Sequence, residues 1–134
     1  MKPLMSSNVY EPAGRLLLVG SCFPEREPAA FQQLAGEADC VFTVCLEEIH
    51  FNMLVTKIAA VLGTNRVKSI TMATVDRSPH CTQLHYLCHE LERLAPVHVP
   101  IRSLVTAEGR LVEVPPSAIE RSKALAQLAA DHSS

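Results

Sequence analysis

The sequence contains no tryptophan, and aromatic residues make up only 4% of its 134 positions. A core without large rings must be filled by aliphatic side chains, and 48% of the residues are hydrophobic. The chain also lacks a strong charge of one sign, because its formal net charge is -2 and its twelve Lys and Arg residues are scattered. Phosphate backbones are bound by clustered positive charge, so we expect no nucleic-acid partner.

Long apolar runs are also missing. No stretch approaches the ~20 residues that a membrane-spanning helix requires, and the apolar run at residues 16–19 is too short for a signal-peptide core. We therefore expect a cytoplasmic protein without membrane contact. Five cysteines leave at least one unpaired, and a chain of this length folds without covalent cross-links. Reduced thiols or metal ligands are the expected use of these cysteines.

One domain accounts for most of the chain, since 134 residues is an ordinary length for a single hydrophobic core. Residues 1–13 carry two prolines, two serines and no apolar periodicity. This pattern predicts a flexible leader outside the core. Residues 14–134 are then expected to form the single folded domain.

Strand and helix patterns alternate along this domain. Short apolar or β-branched runs predict strands, and apolar residues at three- and four-residue spacing predict helices. The predicted strands are residues 16–19, 39–45, 66–75 and 97–101. The predicted helices are one that starts between residues 24 and 28 and stops at residue 36, then residues 51–62, 78–94 and a last one opening at residues 115–117.

Residues in the C-terminal part of the predicted sheet indicate where an edge of the sheet lies. Pro96 and Pro100 push the strand at residues 97–101 towards an edge, because proline cannot donate to the strand ladder. Apolar residues on both sides of the Glu108-Gly109 pair predict a C-terminal hairpin. An exposed edge can pair with another strand, so we expect a second copy of the chain to bind there as a homodimer.

Three successive strand–helix pairs require right-handed crossovers, which place helices on both faces of a parallel sheet. The predicted fold is therefore a three-layer α/β domain with a mostly parallel sheet, either flavodoxin-like or Rossmann-like. In both strand orders, ligands bind beyond the carboxyl ends of the strands. The residues to consider are therefore those of the three strand-to-helix junctions, at residues 20–24, 44–48 and 75–81.

Each junction contains one cysteine: Cys22, Cys45 and Cys81. Neighbouring strands lie ~4.8 Å apart, so loops from adjacent strands can bring three thiols to one metal. His80 or Asp76 is the expected fourth ligand. Thiolates favour zinc, an iron–sulfur cluster or copper(I) over hard cations. The leading hypothesis is thus a metal or iron–sulfur protein that works with a redox protein partner.

A second hypothesis is a cysteine-dependent enzyme. Cys81 occupies the third position of a predicted helix, where unsatisfied backbone N–H groups favour the thiolate form of the nucleophile. His80 or Glu47 would manage the proton, and Asp76 sits where α/β enzymes keep catalytic groups.

A third hypothesis is a non-catalytic module that binds a small anionic ligand or a protein partner through the same loops. The thiols would then be incidental to function. In any of these cases, polar side chains of the junctions are expected to contact the cofactor or ligand. They are Ser21, Glu47, Arg77 and Ser78.

The remaining cysteines and histidines have structural interpretations. Cys40 and Cys45 bracket one predicted strand, about 16 Å apart. Cys88 falls near the apolar face of its predicted helix, which Leu84 and Leu91 share. Cys40 and Cys88 are expected to be small core residues. His85 and His89 have the spacing of a metal pair, but polar neighbours indicate a solvated helix face. No Cys-x-x-Cys, Gly-x-Gly-x-x-Gly or Gly-x-x-x-x-Gly-Lys motif is present, which excludes a thioredoxin-type centre and the common phosphate loops.

Overall fold

A computed structural model of the chain describes residues 2–44, 51–75, 85 and 99–115. The strands are β1 (Lys2–Pro3), β2 (Gly14–Gly20), β3 (Cys40–Val44), β4 (Val67–Val75), β5 (Ile101–Ala107) and β6 (Arg110–Glu113). The helices are a 3-10 turn (Leu4–Ser6), α1 (Phe23–Arg26), α2 (Pro28–Glu37) and α3 (Phe51–Gly63). None of the helices in these ranges is long and apolar enough to cross a membrane.

The six strands of the described chain form one sheet in the order β1-β3-β2-β4-β5-β6. All neighbouring pairs are parallel except β5 and β6, which are antiparallel. From β2 the chain moves outward to β3 and then returns past β2 to β4. This reversal defines a doubly wound sheet of the flavodoxin type, which confirms the predicted α/β fold with a mostly parallel sheet.

The core lies on both faces of β2. Residues 16–19 form a continuous apolar run because their side chains alternate between two covered faces, and each is at most 2% exposed. The face packed against α3, here called the α3 face, carries Leu16, Leu18, Ile70 and Met72. The face packed against α1 and α2, here called the α2 face, carries Leu17, Val19, Ala73 and Val75.

One predicted helix forms as expected, and the other is divided into two. The apolar stripe predicted over residues 51–62 forms α3, which buries Leu54, Ile58 and Val61. The single helix predicted after β2 is instead two helices, separated at Glu27 by backbone angles of φ -133° and ψ 63°. The cause is Pro28, since a proline disfavours the helical conformation of the residue before it.

The predicted hairpin is confirmed. It is formed by β5 and β6, joined by Glu108 and Gly109, whose φ angles of 54° and 78° fit a tight two-residue turn. The prediction of a separate edge strand at residues 97–101 is wrong, because β5 begins only at Ile101 and lies inside the sheet. Pro100 precedes the ladder, and its carbonyl accepts a hydrogen bond from the Ile70 N–H at 2.9 Å.

The structure also corrects the prediction that residues 1–13 lie outside the core. β1 pairs in parallel with β3, and Leu4 is only 1% exposed within the α3-face cluster. The Lys57 ammonium donates to the Ser7 carbonyl and ties this segment to α3. One apolar anchor and a two-residue strand are too short to produce a periodic pattern, so the sequence carried no signal of this packing.

Candidate functional site

The carboxyl ends of β2, β3 and β4 meet at one edge of the sheet. Gly20 ends β2 and aligns with Val44, the last residue of β3, while Val19 aligns with Ala73 near the end of β4. The direction of winding reverses between β2 and β4, and doubly wound sheets bind their ligands beyond the strand ends at such a point. We call this edge the switch-point edge.

The loop after β2 forms one wall of the switch-point edge. The Ser21 N–H donates to the Val44 carbonyl at 3.2 Å, which holds the loop against the end of β3. The Cys22 carbonyl accepts a hydrogen bond from the Arg26 N–H at 3.1 Å as α1 begins. Phe23 is fully buried and anchors the loop, whereas Cys22 is exposed. A hydroxyl and a thiol are thus presented at the end of the central strand.

Gly20 is buried at the centre of this edge and carries no side chain. Its backbone does not adopt a positive φ, unlike that of Gly14 and Gly109, so the conformation itself does not require glycine. A methyl group added at Gly20 would meet the Thr74 Cγ2 atom at 3.8 Å, an ordinary contact distance, and no closer neighbour in the described residues. Neither local strain nor described packing therefore explains the missing side chain.

A buried polar pair lies beneath the same edge. His85 belongs to a helix, is 2% exposed, and its Nε2 atom lies 2.9 Å from the Thr74 hydroxyl. Burial lowers the pKa of His85 to about 4, because the charged imidazolium would lose its hydration. The ring is therefore neutral near pH 7. Its Nδ1 atom has no hydrogen-bond partner within the described part of the chain.

The burial of His85 corrects the prediction of a solvated helix face. His89 lies outside the described residues. His85 forms a hydrogen bond with Thr74. A sequence signal was available, because His85 precedes Cys88 by three positions and Cys88 was predicted to face the core. Thr74 interrupts an apolar strand end, which is a similar signal of a buried polar contact.

Most of the predicted site residues lie outside the described ranges, so their predicted roles remain predictions. They are Cys45, Glu47, Asp76, Arg77, Ser78, His80 and Cys81, and Cys88, which is predicted to be a core residue, also lies outside. Ser21 and Cys22 do occupy the predicted edge. In residues 2–44, 51–75, 85 and 99–115, no group of three or more His, Cys, Asp or Glu side chains forms a metal-binding cluster.

Cys40 has the structural role that its position predicts. It begins β3 at the opposite edge of the sheet from Gly20, is half-buried, and packs against the α3-face cluster. Its thiol donates to the Ala13 carbonyl at 3.3 Å. Burial raises the pKa of Cys40, which disfavours the reactive thiolate. Cys40 is therefore not a candidate for the functional site.

The strand order defines a doubly wound α/β protein, a class of fold that binds ligands beyond the carboxyl ends of its parallel strands. The chain belongs to the Rossmann-like domain family, whose model matches residues 12–134. No curated protein and no solved structure matches the chain significantly. The family establishes the fold of the domain and leaves its ligand to be inferred from the site.

Proposed function

We propose that this chain is a Rossmann-like binding module that holds a small anionic ligand at the switch-point edge, over Gly20. The observation that carries the proposal is a glycine at the end of the central strand that neither its φ angle nor the described packing requires. In doubly wound sheets this is the point where ligands enter between diverging loops.

A glycine at the end of β2 lowers the stability of that strand. Glycine weakens a strand by roughly 0.5–1 kcal/mol relative to alanine because it loses more conformational freedom on folding. Such a residue is useful where φ is positive, where packing is tight, or where a ligand approaches the backbone closely. The first two conditions do not hold at Gly20 among the described residues. Close approach of a ligand is the remaining reason.

The chemistry around Gly20 suggests the kind of ligand. Ser21 offers a hydroxyl directly after β2, and its backbone is held in place by Val44. In the sequence, Arg77 and Ser78 follow the last residue of β4 by two and three positions. A guanidinium group and hydroxyls are suited to carboxylate or phosphate oxygens. We therefore expect a small anion rather than a cation.

The test is a thermal-shift screen of the full chain against nucleoside monophosphates, sugar phosphates and dicarboxylates. A ligand at about 100 times its Kd should stabilise the fold by about 2.7 kcal/mol. Gly20→Ala should be as stable as the wild type or slightly more stable, yet it should lose this stabilisation because its methyl group occupies the ligand position. Binding is then quantified by calorimetry for both proteins.

Gly36→Ala is the matched control, since it adds the same methyl group in α2, where nothing lies within 4 Å. It should keep full ligand binding. The proposal is wrong if Gly20→Ala binds every hit as tightly as the wild type, or if no compound of the screen binds. A reduced stability of Gly20→Ala would instead show that packing explains the glycine.

A second candidate function is a metal or iron–sulfur site formed by Cys22, Cys45 and Cys81. One observation favours it: Cys22 is exposed at the switch-point edge, and the hydrogen bond from Ser21 to Val44 joins the residues that immediately precede Cys22 and Cys45. Two thiolates entering from adjacent backbones suit zinc or an iron–sulfur cluster. With an iron–sulfur cluster, the domain would exchange electrons with a redox protein partner, whereas a zinc ion would have a structural role.

Elemental analysis and an ultraviolet–visible spectrum of anaerobically purified protein test this candidate. Stoichiometric zinc, or iron with labile sulfide, should be present in the wild type and lost when serine replaces all three cysteines. Replacing Cys40 with serine is the control and should leave the metal content unchanged. Metal-free wild-type protein would remove this candidate and leave the anion-binding proposal intact.

A further inference from the structure

A cavity of about 290 Å³ opens at the opposite end of the sheet from the switch-point edge, where β2, β4 and β5 begin. Its apolar wall includes Leu17 and Leu34, which also belong to the α2-face cluster. Strand pairing aligns residue 15 with 69, residue 17 with 71, and residue 71 with 102. Aligned side chains of parallel strands point to the same face, so all of these residues border one crevice.

Two guanidinium groups flank this amino-end cavity. Arg15 donates through Nε and Nη2 to the Asp39 carboxylate, both at 3.2 Å, and this pairing lowers the pKa of Asp39. Arg102 donates through Nε to Glu113 at 3.1 Å. A guanidinium carries five N–H donors, so each arginine is oriented by its carboxylate and keeps donors for a ligand. β4 lies between the two strands, which separates them by about 10 Å.

Hydroxyl groups lie between the two arginines. Ser69 and Thr71 line the cavity and are half-buried, and neither hydroxyl forms a hydrogen bond with the described part of the chain. Glu37 also lines the cavity, so with Asp39 and Glu113, the partners of the arginines, three carboxylates surround two guanidinium groups. An anion must therefore bind through the guanidinium N–H donors that the carboxylates leave free, which suits a ligand with one or two negative charges, and a polyphosphate would be repelled.

We propose that the amino-end cavity is a second binding site, which takes a small organic oxyanion, either a carboxylate or a phosphate monoester. Arg15 and Arg102 bind the anionic oxygens, Ser69 and Thr71 supply hydrogen bonds between them, and the apolar part of the ligand packs on Leu17. A volume of about 290 Å³ is at the small end of ligand pockets. This site is separate from the switch-point edge and does not depend on the function proposed there.

The test is a titration of the full, isotope-labelled chain with succinate and with glycerol 3-phosphate, followed by amide chemical shifts. Succinate represents a carboxylate and glycerol 3-phosphate a phosphate monoester, so the two titrations distinguish the sources of the anion. Shifts should cluster at residues 15–17, 69–71 and 102. Arg102→Gln should weaken binding at least about tenfold, because charge-assisted hydrogen bonds to an oxyanion are lost.

Two further variants keep the result interpretable. Arg110→Gln removes an equal charge from the first residue of β6, outside the cavity, and should bind as the wild type does. Thr71→Val removes only a hydroxyl and should weaken binding without changing the charge. The proposal is overturned if neither probe binds at about 10 mM, or if Arg102→Gln and Arg110→Gln bind equally well. Gly20→Ala should not affect these titrations, which separates this site from the switch-point edge.

Discussion

Replacing His85 with glutamine should change how the stability of the protein depends on pH. In the folded protein, burial lowers the pKa of His85 to about 4, whereas an exposed histidine has a pKa of 6.5. Above pH 6.5 neither the folded nor the unfolded chain binds this proton, so His85 does not lower the free energy of unfolding. As pH falls below 6.5, the unfolded chain takes up a proton that the folded chain refuses, so stability is lost until the pH reaches about 4.

The size of this effect follows from the two pKa values. Each pH unit between them costs about 1.4 kcal/mol, so the full loss is about 3 kcal/mol. Between about pH 7 and about pH 5 the loss is about 2 kcal/mol. The hydrogen bond between Thr74 and His85 orients the ring, but the buried environment of the imidazole causes the shift of its pKa. His85→Gln lacks the titrating group and should lose this part of the pH dependence.

Urea unfolding of both proteins at a series of pH values measures the effect. The difference in unfolding free energy between wild type and His85→Gln should shrink by about 2 kcal/mol from about pH 7 to about pH 5. Thr74→Val is the control, since it removes the hydroxyl and retains the imidazole, and its pH dependence should follow the wild type. Parallel pH profiles for wild type and His85→Gln would refute the assignment of a buried neutral histidine.

Other predictions concern the backbone and the thiols. Gly14→Ala should destabilise the fold by about 2–3 kcal/mol, because a φ of 68° is unfavourable for alanine and its methyl group would collide with the Asp39 carboxylate. Gly109→Ala has a φ of 78° without any neighbour within 4 Å and should cost only about 1 kcal/mol in the same urea assay; equal costs would contradict the collision. In native protein, iodoacetamide should modify exposed Cys22 well before half-buried Cys40, and mass spectrometry that finds equal rates would contradict this difference.

The sequence by itself determined the layers of the fold and the edge where a site should lie. The run at residues 16–19 is apolar at every position, as expected of a strand that is covered on both faces. The apolar residues of α3 have helical spacing along its length. These are local patterns, so they can be predicted without knowing what packs against them. The position of Ser21 and Cys22 at this edge could be predicted for the same reason, because they directly follow the first predicted strand of the domain, and their roles there remain predictions.

Only the tertiary structure decided the strand order, the packing of Leu4 and the pairing of His85 with Thr74. The two residues of that pair are 11 positions apart, on a strand and on the helix that follows it. Whether they meet depends on how the chain crosses over the sheet, which residue periodicity does not encode. The arginines of the amino-end cavity likewise come from β2 and β5, and they share a crevice only because β4 lies between those strands. Contacts between distant segments follow from topology, and a local pattern of hydrophobicity cannot specify them.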